Sequence, residues 1–361
     1  MDSIFFSRGI PSPDILPVEQ LSECAHTVLA REARSLLNYG PTGGYPPLRT
    51  WIAAQHAADA ARIIVSTGSL AGFNFLARHL FRDGGRAIVE APAYDRTIVA
   101  LQAAGAVIET VGLTDAGLDL ERLQALLDTG TPPKLLYTVP TFQNPSGRTL
   151  ALEQRQAVVE LARGHGVLIY EDDPYHLVRY SGEPLPSLYQ LAGGEGVVFS
   201  TSFSKTCAPG LRVGYMVLPD QLVPPIEALA ASTYIAPPPL PQAIVHEFIQ
   251  GGYFEAALAT VCSELRLRRD AMLTALAGAL PDTATWSRPD GGYFLWLDLP
   301  DGVDGGALTQ RAAAANVQLV PGADFYPAEG GEQAVRLAFS FPSVGQIRVG
   351  VARLGTLVDD A

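Results

Sequence analysis

Several short, mostly apolar runs constrain the fold of this chain more than any other feature of its sequence. Because they lack polar alternation, they are typical of strands that are covered on both faces. Helical patterns lie between most of them, so we predict a mostly parallel sheet with helices on both sides. The runs are RIIVS at 62–66, AIVEA at 87–91, KLLYTVP at 134–140, VLIYE at 167–171, VVFST at 197–201 and VGYMVL at 213–218.

The sequence predicts both ends of two of the intervening helices. Apolar residues recur at helical spacing over 69–82, and DGG at 83–85 then ends the pattern. A second helix is predicted from about 150 to 163, where GHG at 164–166 stops it. The strand–helix–strand order is that of an α/β protein.

The sequence changes character after about residue 255. An arginine-rich helix is predicted at about 254–280, followed by GGYFLWLDLP, a helix near 305–315 and VRLAFSFP. These elements predict a smaller α+β unit. The first 35 residues contain a short extended start and a helix at about 17–36. We predict no strand in them and place them against the C-terminal part.

The composition excludes several classes of protein. The 25 Lys and Arg residues against 37 Asp and Glu residues give a net charge of −12, so no nucleic-acid partner is expected. Cys24, Cys207 and Cys262 are isolated, which argues against disulfides and zinc and favours a reduced, cytoplasmic setting. None of the six histidines has metal-ligand spacing. We expect no signal peptide and no membrane helix, which needs about 20 apolar residues.

Polar residues follow three of the predicted strands, in PTFQNPSG at 140–147, YEDDPY at 170–175 and STSFSKTCAPGLRVG at 200–214. The carboxyl ends of parallel strands are where α/β proteins build sites. Lys205 lies in a serine-rich turn, where desolvation would lower its pKa and allow it to act as a Schiff-base amine; a loop lysine is also often simply exposed. Asp172 comes directly after VLIYE, and burying it requires a cation such as a protonated pyridine nitrogen or an arginine.

Four further residues suit the binding of a ligand, and three of them also have a plainer explanation. Asn144 precedes a proline in a predicted tight turn, compatible with a cis peptide bond, that fixes its amide or is turn chemistry alone. Ser69 opens a helix, where it marks an anion site or is an N-cap. Arg212 can grip the same anion. Arg336 lies among small residues on one face of a strand, which suits a carboxylate pocket or a surface ion pair.

In their order and spacing these residues resemble the fold-type I pyridoxal-phosphate enzymes, specifically the class I/II aminotransferases. The order is a Gly-Ser turn, Tyr, Asn-Pro, Asp-x-x-Tyr, Ser-x-x-Lys, Arg and a late Arg. GIPSPDILP at 9–17 and NYGPTGGYPPLR at 38–49 extend the similarity to aminotransferases that act on 2-aminoadipate, kynurenine and aromatic amino acids. The similarity covers nearly the whole chain.

With the element pattern, the resemblance predicts an α/β fold whose large domain has a mostly parallel sheet of the seven-stranded type. Residues 37–255 form this pyridoxal-phosphate-binding domain, and residues 256–361 form a small α+β domain. The N-terminal segment 1–36 packs with the small domain.

The resemblance implies a role for each central residue. Lys205 is the lysine that forms a Schiff base with the cofactor and moves the substrate Cα proton. Asp172 keeps the pyridine nitrogen protonated, which makes the ring an electron sink. Tyr175 and Asn144 hydrogen-bond the ring oxygen, and Tyr94 stacks on the ring.

For the cofactor phosphate, the resemblance implies the backbone amides of Ser69 and Leu70, the Ser202 hydroxyl and the Arg212 guanidinium. Relatives often carry Gln at the Leu70 position, so only the backbone of Leu70 serves here. Tyr39 of the partner subunit completes the set, which makes the predicted active unit a homodimer.

Substrate contacts are implied for Arg336, which binds the α-carboxylate beside Asn144, and for the N-terminal residues Gly9 and Arg8. Arg8 stands where a small residue is usual, so it pairs with a substrate acid, narrows the pocket or is a solvated arginine. Tyr293, in GGYFLW, replaces a more usual aliphatic residue and is a second candidate for reshaping the pocket.

The predicted function is that of an aminotransferase that moves an amino group from an L-amino acid to a 2-oxo acid by a ping-pong mechanism through pyridoxamine phosphate. A specialised biosynthetic substrate is a further hypothesis, motivated by Arg8 and Tyr293. The alternative is an enzyme of the same fold that performs elimination, cyclisation or oxidation after Cα deprotonation. A ligand-sensing module is less favoured, because the roughly 35 residues before NYGPTGG lack the basic helices of a DNA-binding domain.

Overall fold

The computed structural model describes residues 3–114 and 117–359. The ends of the predicted domains at residues 1, 2, 360 and 361, and residues 115 and 116, lie outside it. The helices are α1 (Val18–Leu36), α2 (Pro46–Gln55), α3 (Ser69–Leu80), α4 (Asp95–Ala103), α5 (Leu120–Leu127), α6 (Leu152–His165), α7 (Leu188–Leu191), α8 (Val223–Tyr234), α9 (Pro239–Gln250), α10 (Tyr253–Ala279), α11 (Gly305–Ala314) and α12 (Val344–Asp359). The strands are β1 (Ile4–Phe5), β2 (Ile63–Ser66), β3 (Arg86–Ala91), β4 (Val107–Thr114), β5 (Gly117–Leu118), β6 (Leu135–Thr138), β7 (Leu168–Asp172), β8 (Val197–Ser202), β9 (Gly214–Val217), β10 (Thr285–Trp286), β11 (Phe294–Asp298), β12 (Val317–Gln318), β13 (Val320–Pro321) and β14 (Ala334–Ala338).

The described residues form one large sheet in the order β2-β9-β8-β7-β6-β3-β4-β5. Strands β8, β7, β6, β3 and β4 are parallel neighbours, and β9 runs antiparallel to both β2 and β8. The predicted α/β fold and all of the predicted apolar strands are confirmed. The sheet has eight strands rather than seven because the two-residue β5 pairs with the end of β4.

Strand β4 is the element that the apolar-run criterion missed. Its sequence is VIETVGLT, and most of its residues are partly or fully exposed. It lies next to the short edge strand β5, so one side of the sheet ends there. A strand in this position does not need the unbroken apolar run that marks the central strands.

The apolar strands of this sheet, from the edge strand β2 inwards, contribute to two hydrophobic layers. Ile63 and Val65 of β2 join the core that includes α1, α2, α5, α6 and α9, whereas Ile64 points into the core with α3, α4 and α8. Successive side chains of a strand point to opposite faces, so an unbroken apolar strand requires a helical layer on each side.

A second sheet, in the order β10-β11-β14-β13, is antiparallel and packs with α10, α11 and α12. The N-terminal prediction needs two corrections. The first residues do contain a strand, because β1 pairs in parallel with β12, and Ile4 is buried in the C-terminal core. Helix α1 instead packs against α9, and its buried Cys24 and Val28 belong to a core of the large sheet.

Helix α10 connects the two cores. Phe254 near its start is buried with the large sheet, while Met272 and Leu276 near its end are buried with the C-terminal sheet. The predicted domain boundary at 255/256 falls in the first turn of this helix, and the boundaries remain predictions. No helix among the described residues is long and apolar enough to cross a membrane.

Candidate active site

A cavity of about 210 Å³ lies at the carboxyl ends of β6, β7 and β8 and at the start of α3. The parallel order places these strand ends side by side, so the polar segments that follow them meet. The sequence-predicted residues that line the cavity are Ser69, Leu70, Tyr94, Asn144, Asp172, Tyr175, Ser202, Lys205 and Arg212.

Asp172 is the last residue of β7 and is buried. Its Oδ2 atom accepts a hydrogen bond of 2.7 Å from the Tyr137 hydroxyl, whereas its Oδ1 atom is buried and has no protein partner. Burial raises the pKa of Asp172 to about 6, with a smaller contribution from Asp173, against the lowering effect of the Tyr137 hydrogen bond. A buried carboxylate oxygen without a partner calls for a cationic donor from a ligand.

Lys205 follows β8, and its Nζ atom donates a hydrogen bond of 2.7 Å to the carbonyl oxygen of Gly9. Nζ lies 5.1 Å from the ring centroid of Tyr293 and 5.8 Å from that of Tyr175. Burial lowers the pKa of Lys205 to about 8, and the charges of Arg336 and Arg212 contribute to the lowering. About a tenth of the amine is therefore unprotonated, and nucleophilic, at pH 7.

The start of α3 and Arg212 form an anion-binding corner of the cavity. Arg212 has a left-handed backbone (φ +54°), and its Nη2 atom donates to the carbonyl oxygen of Thr67 at 3.2 Å. Gly68 directly before the helix has φ +89°, and a Cβ there would collide with this guanidinium. Free amides of Ser69 and its neighbour, the helix dipole and the arginine charge together favour a phosphate. Ser202 lies beside them and accepts from the Ser204 amide at 3.1 Å.

Arg336 lies in the middle of β14 and is buried. Its Nη1 atom donates to Asn144 Oδ1 at 3.0 Å, and its Nη2 atom donates to the Ser7 carbonyl oxygen at 2.9 Å. Nε has no partner, and the guanidinium carbon lies 4.4 Å from the ring centroid of Phe294. Burial lowers the pKa of Arg336 to about 10, so the group stays charged at neutral pH. The peptide bond between Asn144 and its proline is cis, as the sequence allowed.

Two tyrosines form further walls of the cavity. Tyr94 stands directly before α4, and Tyr175 is buried with its ring 5.8 Å from that of Phe294. Gly9 packs directly on the Phe294 ring, where a Cβ would collide. This packing brings the Gly9 carbonyl oxygen within hydrogen-bond distance of the Lys205 amine.

Five residues singled out in the sequence are not part of the described lining of this cavity. Two of them, Arg336 and Gly9, bond directly to the lining residues Asn144 and Lys205. Tyr39 is 76% exposed on the surface. Arg8 is exposed, and its guanidinium carbon lies 3.9 Å from the ring centroid of Phe5. Tyr293 is fully buried, and its hydroxyl donates to the main-chain carbonyl of Lys205 at 3.0 Å.

Sequence reasoning missed Tyr137 and Ser7. Tyr137 stands in the predicted run at 134–140, and a hydroxyl in a strand buried on both faces signals a polar partner nearby. Ser7 contributes only its carbonyl oxygen to Arg336, so its side chain carried no signal.

The residues present fit pyridoxal phosphate. The unpartnered Oδ1 of Asp172 suits a protonated ring nitrogen, and the corner at Ser69 and Arg212 suits a phosphate. Lys205 offers an amine of lowered pKa in the same cavity.

Comparison with known proteins agrees with this fit. The sequence model of the aminotransferase class I and II family matches residues 6–354. Aromatic-amino-acid aminotransferase 1 of Thermococcus litoralis is 32% identical, over 99% of this chain and 88% of its own length. The 2-aminoadipate transaminase of Thermus thermophilus is 33% identical, over 97% of this chain and 88% of its own.

A solved structure shows the same likeness in three dimensions. The α-aminoadipate aminotransferase of Thermus thermophilus, complexed with N-(5'-phosphopyridoxyl)-L-leucine, aligns with a TM-score of 0.94 at 32% identity and covers 99% of this chain and 92% of that chain. This chain therefore belongs to the aminotransferase class I and II family and is a pyridoxal-phosphate-dependent aminotransferase.

Proposed function

We propose that Lys205, Asp172 and Arg336 carry the transfer of an amino group from an L-amino acid to a 2-oxo acid in the cavity described above. The observation that supports this most is the buried Asp172 Oδ1 atom without a partner, in the same cavity as an amine of lowered pKa. Perturbed titratable groups that converge in one cavity are typical of active sites.

Pyridoxal phosphate, when bound, supplies an electron sink that makes the Cα–H bond of an amino acid acidic. Asp172 would hold the positive charge of the ring nitrogen. The phosphate would be held by the amides of Ser69 and Leu70 with Ser202 and Arg212. Tyr94, Asn144 and Tyr175 would hold the ring, Tyr94 by stacking and the other two by hydrogen bonds to its oxygen.

Lys205 is the proposed proton carrier. With a pKa of about 8, its amine takes a proton from carbon and returns it at neutral pH without a large energetic penalty in either direction. Its hydrogen bond to the Gly9 carbonyl oxygen holds the amine beside the N-terminal segment, whose Ile10 also lines the cavity.

Arg336 would bind the substrate α-carboxylate. Asn144 already orients its guanidinium, and the unpartnered Nε leaves a donor available. A planar guanidinium binds a carboxylate through two parallel hydrogen bonds, which fixes the Cα atom relative to Lys205. Amino donors and 2-oxo acid acceptors share this carboxylate, so both would bind in one pose.

The preferred amino donors would be aromatic and other apolar L-amino acids. The described lining is rich in apolar and aromatic residues, among them Ile10, Leu70 and Phe73, and its cations are Lys205 and Arg212, which both have other roles. Arg8, the sequence candidate for a side-chain acid, stacks on Phe5 outside the described lining. The relatives divide between the two donor classes, since the Thermococcus litoralis protein is an aromatic-amino-acid aminotransferase and the Thermus thermophilus protein is a 2-aminoadipate transaminase. The lining is therefore what supports the apolar donor class.

The active unit would be a homodimer in which Tyr39 reaches the phosphate corner of the partner subunit. Leu37 and Tyr39 are 71% and 76% exposed, and Ile235 is 54% exposed. The Thr42 hydroxyl donates to the Ile235 carbonyl oxygen at 3.2 Å, so the segment that follows Tyr39 runs beside Ile235. An exposed apolar patch of this kind favours contact with a second chain.

We place the protein in the cytoplasm. Cys24, Cys207 and Cys262 are all free thiols, and Cys24 and Cys207 are buried. A reducing compartment keeps such thiols unpaired.

The reaction is tested by incubating the cofactor-loaded protein with single L-amino acids and measuring the 2-oxo acid formed. Without an acceptor, an aminotransferase forms one equivalent per active site, and turnover resumes when 2-oxoglutarate is added. The panel compares L-phenylalanine and L-tyrosine with L-2-aminoadipate, and we expect the higher kcat/KM for the aromatic donors.

Two results would contradict the proposal. Continuous release of ammonia or an eliminated group without an acceptor would indicate the elimination, cyclisation or oxidation chemistry of the same fold. A higher kcat/KM for L-2-aminoadipate would contradict the donor class while leaving amino transfer intact.

A further inference from the structure

Tyr293 occupies an unusual place between the two halves of the site. It directly precedes strand β11 of the C-terminal sheet, yet its side chain contacts the loop that carries Lys205 in the large domain. We propose that Tyr293 is a positioning residue for Lys205, holding the lysine main chain with its hydroxyl and the amine with its ring. This inference rests on the proposed role of Lys205.

The hydroxyl of Tyr293 contacts the main chain of the lysine and not its amine. It donates to the Lys205 carbonyl oxygen at 3.0 Å, and the tyrosine side chain is fully buried. A buried hydroxyl with a single partner of good geometry fixes that partner, because losing the bond leaves a desolvated acceptor. The bond therefore restrains the position from which the lysine side chain extends.

The ring of Tyr293 forms one wall of the space around the amine. Nζ lies 5.1 Å from its centroid, and Tyr175, whose ring centroid is 5.5 Å from that of Tyr293, forms a second wall. An ammonium over an aromatic face is stabilised relative to the neutral amine. This effect opposes the burial and the arginine charges that lower the pKa of Lys205.

The neighbouring residue extends the contact to the carboxylate-binding arginine. Phe294 lies under the Arg336 guanidinium, whose carbon is 4.4 Å from the ring centroid, and the Phe339 amide donates to the Tyr293 carbonyl oxygen at 3.1 Å. The dipeptide 293–294 thus touches both Lys205 and Arg336. A shift of this segment changes the distance between the proton carrier and the carboxylate site, which is the kind of change that lowers kcat.

The test uses the fact that the sequence contains two lysines, Lys134 and Lys205. In cofactor-free protein, trace acetylation across a pH series gives the titration midpoint of each lysine by peptide mass analysis, with the exposed Lys134 as internal reference. The variants are Tyr293→Leu and Tyr293→Phe. Tyr215→Phe is the matched control, because the buried Tyr215 hydroxyl shares a hydrogen bond of 3.0 Å with His56, and neither residue is part of the described lining of the cavity.

Tyr293→Leu removes the ring but keeps an apolar side chain, so the midpoint of Lys205 should fall by about half to one pH unit while that of Lys134 stays. Tyr293→Phe keeps the ring, so its midpoint should match the parent protein. Its loaded form should lose about five-fold in kcat with an unchanged KM for the amino donor, because the hydroxyl contact is gone. Tyr215→Phe should leave the midpoint and kcat unchanged.

An unchanged or higher Lys205 midpoint in Tyr293→Leu would overturn the role of the ring. Equal loss of kcat in Tyr293→Phe and Tyr215→Phe would show general packing instead of positioning. Should Tyr293→Leu fail to fold, Tyr293→Phe still decides the hydroxyl contact. The acetylation readout needs neither cofactor nor turnover, so it stands apart from a failure of the proposed function, which Lys205→Ala would reveal.

Discussion

Two regions supply the candidate site in different ways. The sheet-edge group, Asn144, Asp172 and Lys205, stands at or just after the ends of three adjacent parallel strands. The cap group, Arg336 and the segment 7–14, comes from the C-terminal strand β14 and the N-terminus. Each residue of the first group lies at or a few residues after the strand that positions it. The second group depends on contacts between distant segments, such as that of Arg336 with Ser7, 329 residues apart.

This difference separates chemistry from orientation. The titratable side chains proposed to hold the ring nitrogen and move the proton are in the sheet-edge group. The cap group offers a carboxylate-binding arginine and main-chain carbonyls, including the Gly9 oxygen that accepts from Lys205. Mutations in the sheet-edge group should therefore affect kcat, and those in the cap group should affect KM and the mobility of the N-terminal segment.

The largest effect is expected from Lys205→Ala in the sheet-edge group. Loss of the proton carrier should lower 2-oxo acid formation by about 10⁴-fold, because no other group is proposed to move the Cα proton. The control is Lys134→Ala, which removes an exposed lysine bonded to the Leu80 carbonyl and should keep full activity. Turnover of Lys205→Ala at the parent rate would refute the mechanism.

Arg336→Lys tests the cap group. A lysine keeps the charge but cannot form two parallel hydrogen bonds, so kcat/KM should fall about 100-fold, mainly through a higher KM for both the amino donor and the 2-oxo acid. Arg348→Lys on α12 is the control at an exposed position. A large drop in kcat at unchanged KM would place Arg336 with the sheet-edge group. It would contradict the assignment of kcat effects to one group and KM effects to the other.

The pH dependence of cofactor affinity tests Asp172. Its pKa is raised to about 6 in the cofactor-free protein, so the carboxylate is ionised above pH 6 and takes up a proton below it. Affinity for pyridoxal phosphate should fall by up to about ten-fold per unit as the pH drops below 6, because the negative charge facing the ring nitrogen is lost. Lys205, with a pKa of about 8, stays protonated across this range.

Affinity is measured by fluorescence titration between pH 5 and 7. Asp172→Asn carries no titrating group at this position and corrects for protonation of the cofactor itself. If Asp172→Asn shows the same pH dependence as the parent protein, Asp172 does not face the ring nitrogen.

The smallest effect is expected from Asp14→Asn in the cap group. Asp14 accepts from Arg268 at 2.8 Å, and the buried Arg268 also donates to the Ser340 carbonyl oxygen at 2.7 Å. The Asp14 side chain is 62% exposed, so its ion pair is worth about 1 kcal/mol or less. We expect faster amide hydrogen exchange in residues 7–14 and a two- to three-fold lower kcat/KM. The control is Asp83→Asn, which removes the exposed ion pair with Arg82. If hydrogen exchange in residues 7–14 is the same in both variants, Asp14 does not belong to the cap group.

The amino-acid sequence predicted most of the sheet-edge group. A run such as VLIYE is typical of a strand buried on both faces, and parallel strands place their carboxyl ends together, so Asp172 and Lys205 were candidates on sequence grounds alone. The polar strand β4 was missed because it carries no unbroken apolar run, and β1 was missed because two apolar residues are too few to form a strand pattern. The resemblance named Arg336, although nothing local in AVRLAFS identifies its partners.

Tertiary structure alone decided how the cap group is held and what Tyr293 contacts. Helix α1 packs on α9, and the Tyr293 hydroxyl bonds to the main chain of Lys205. The sequence determines which segments must be buried, because burial follows from local apolar pattern. Which distant segments meet depends on how whole layers pack, and main-chain carbonyls such as that of Gly9 carry no side-chain signature at all.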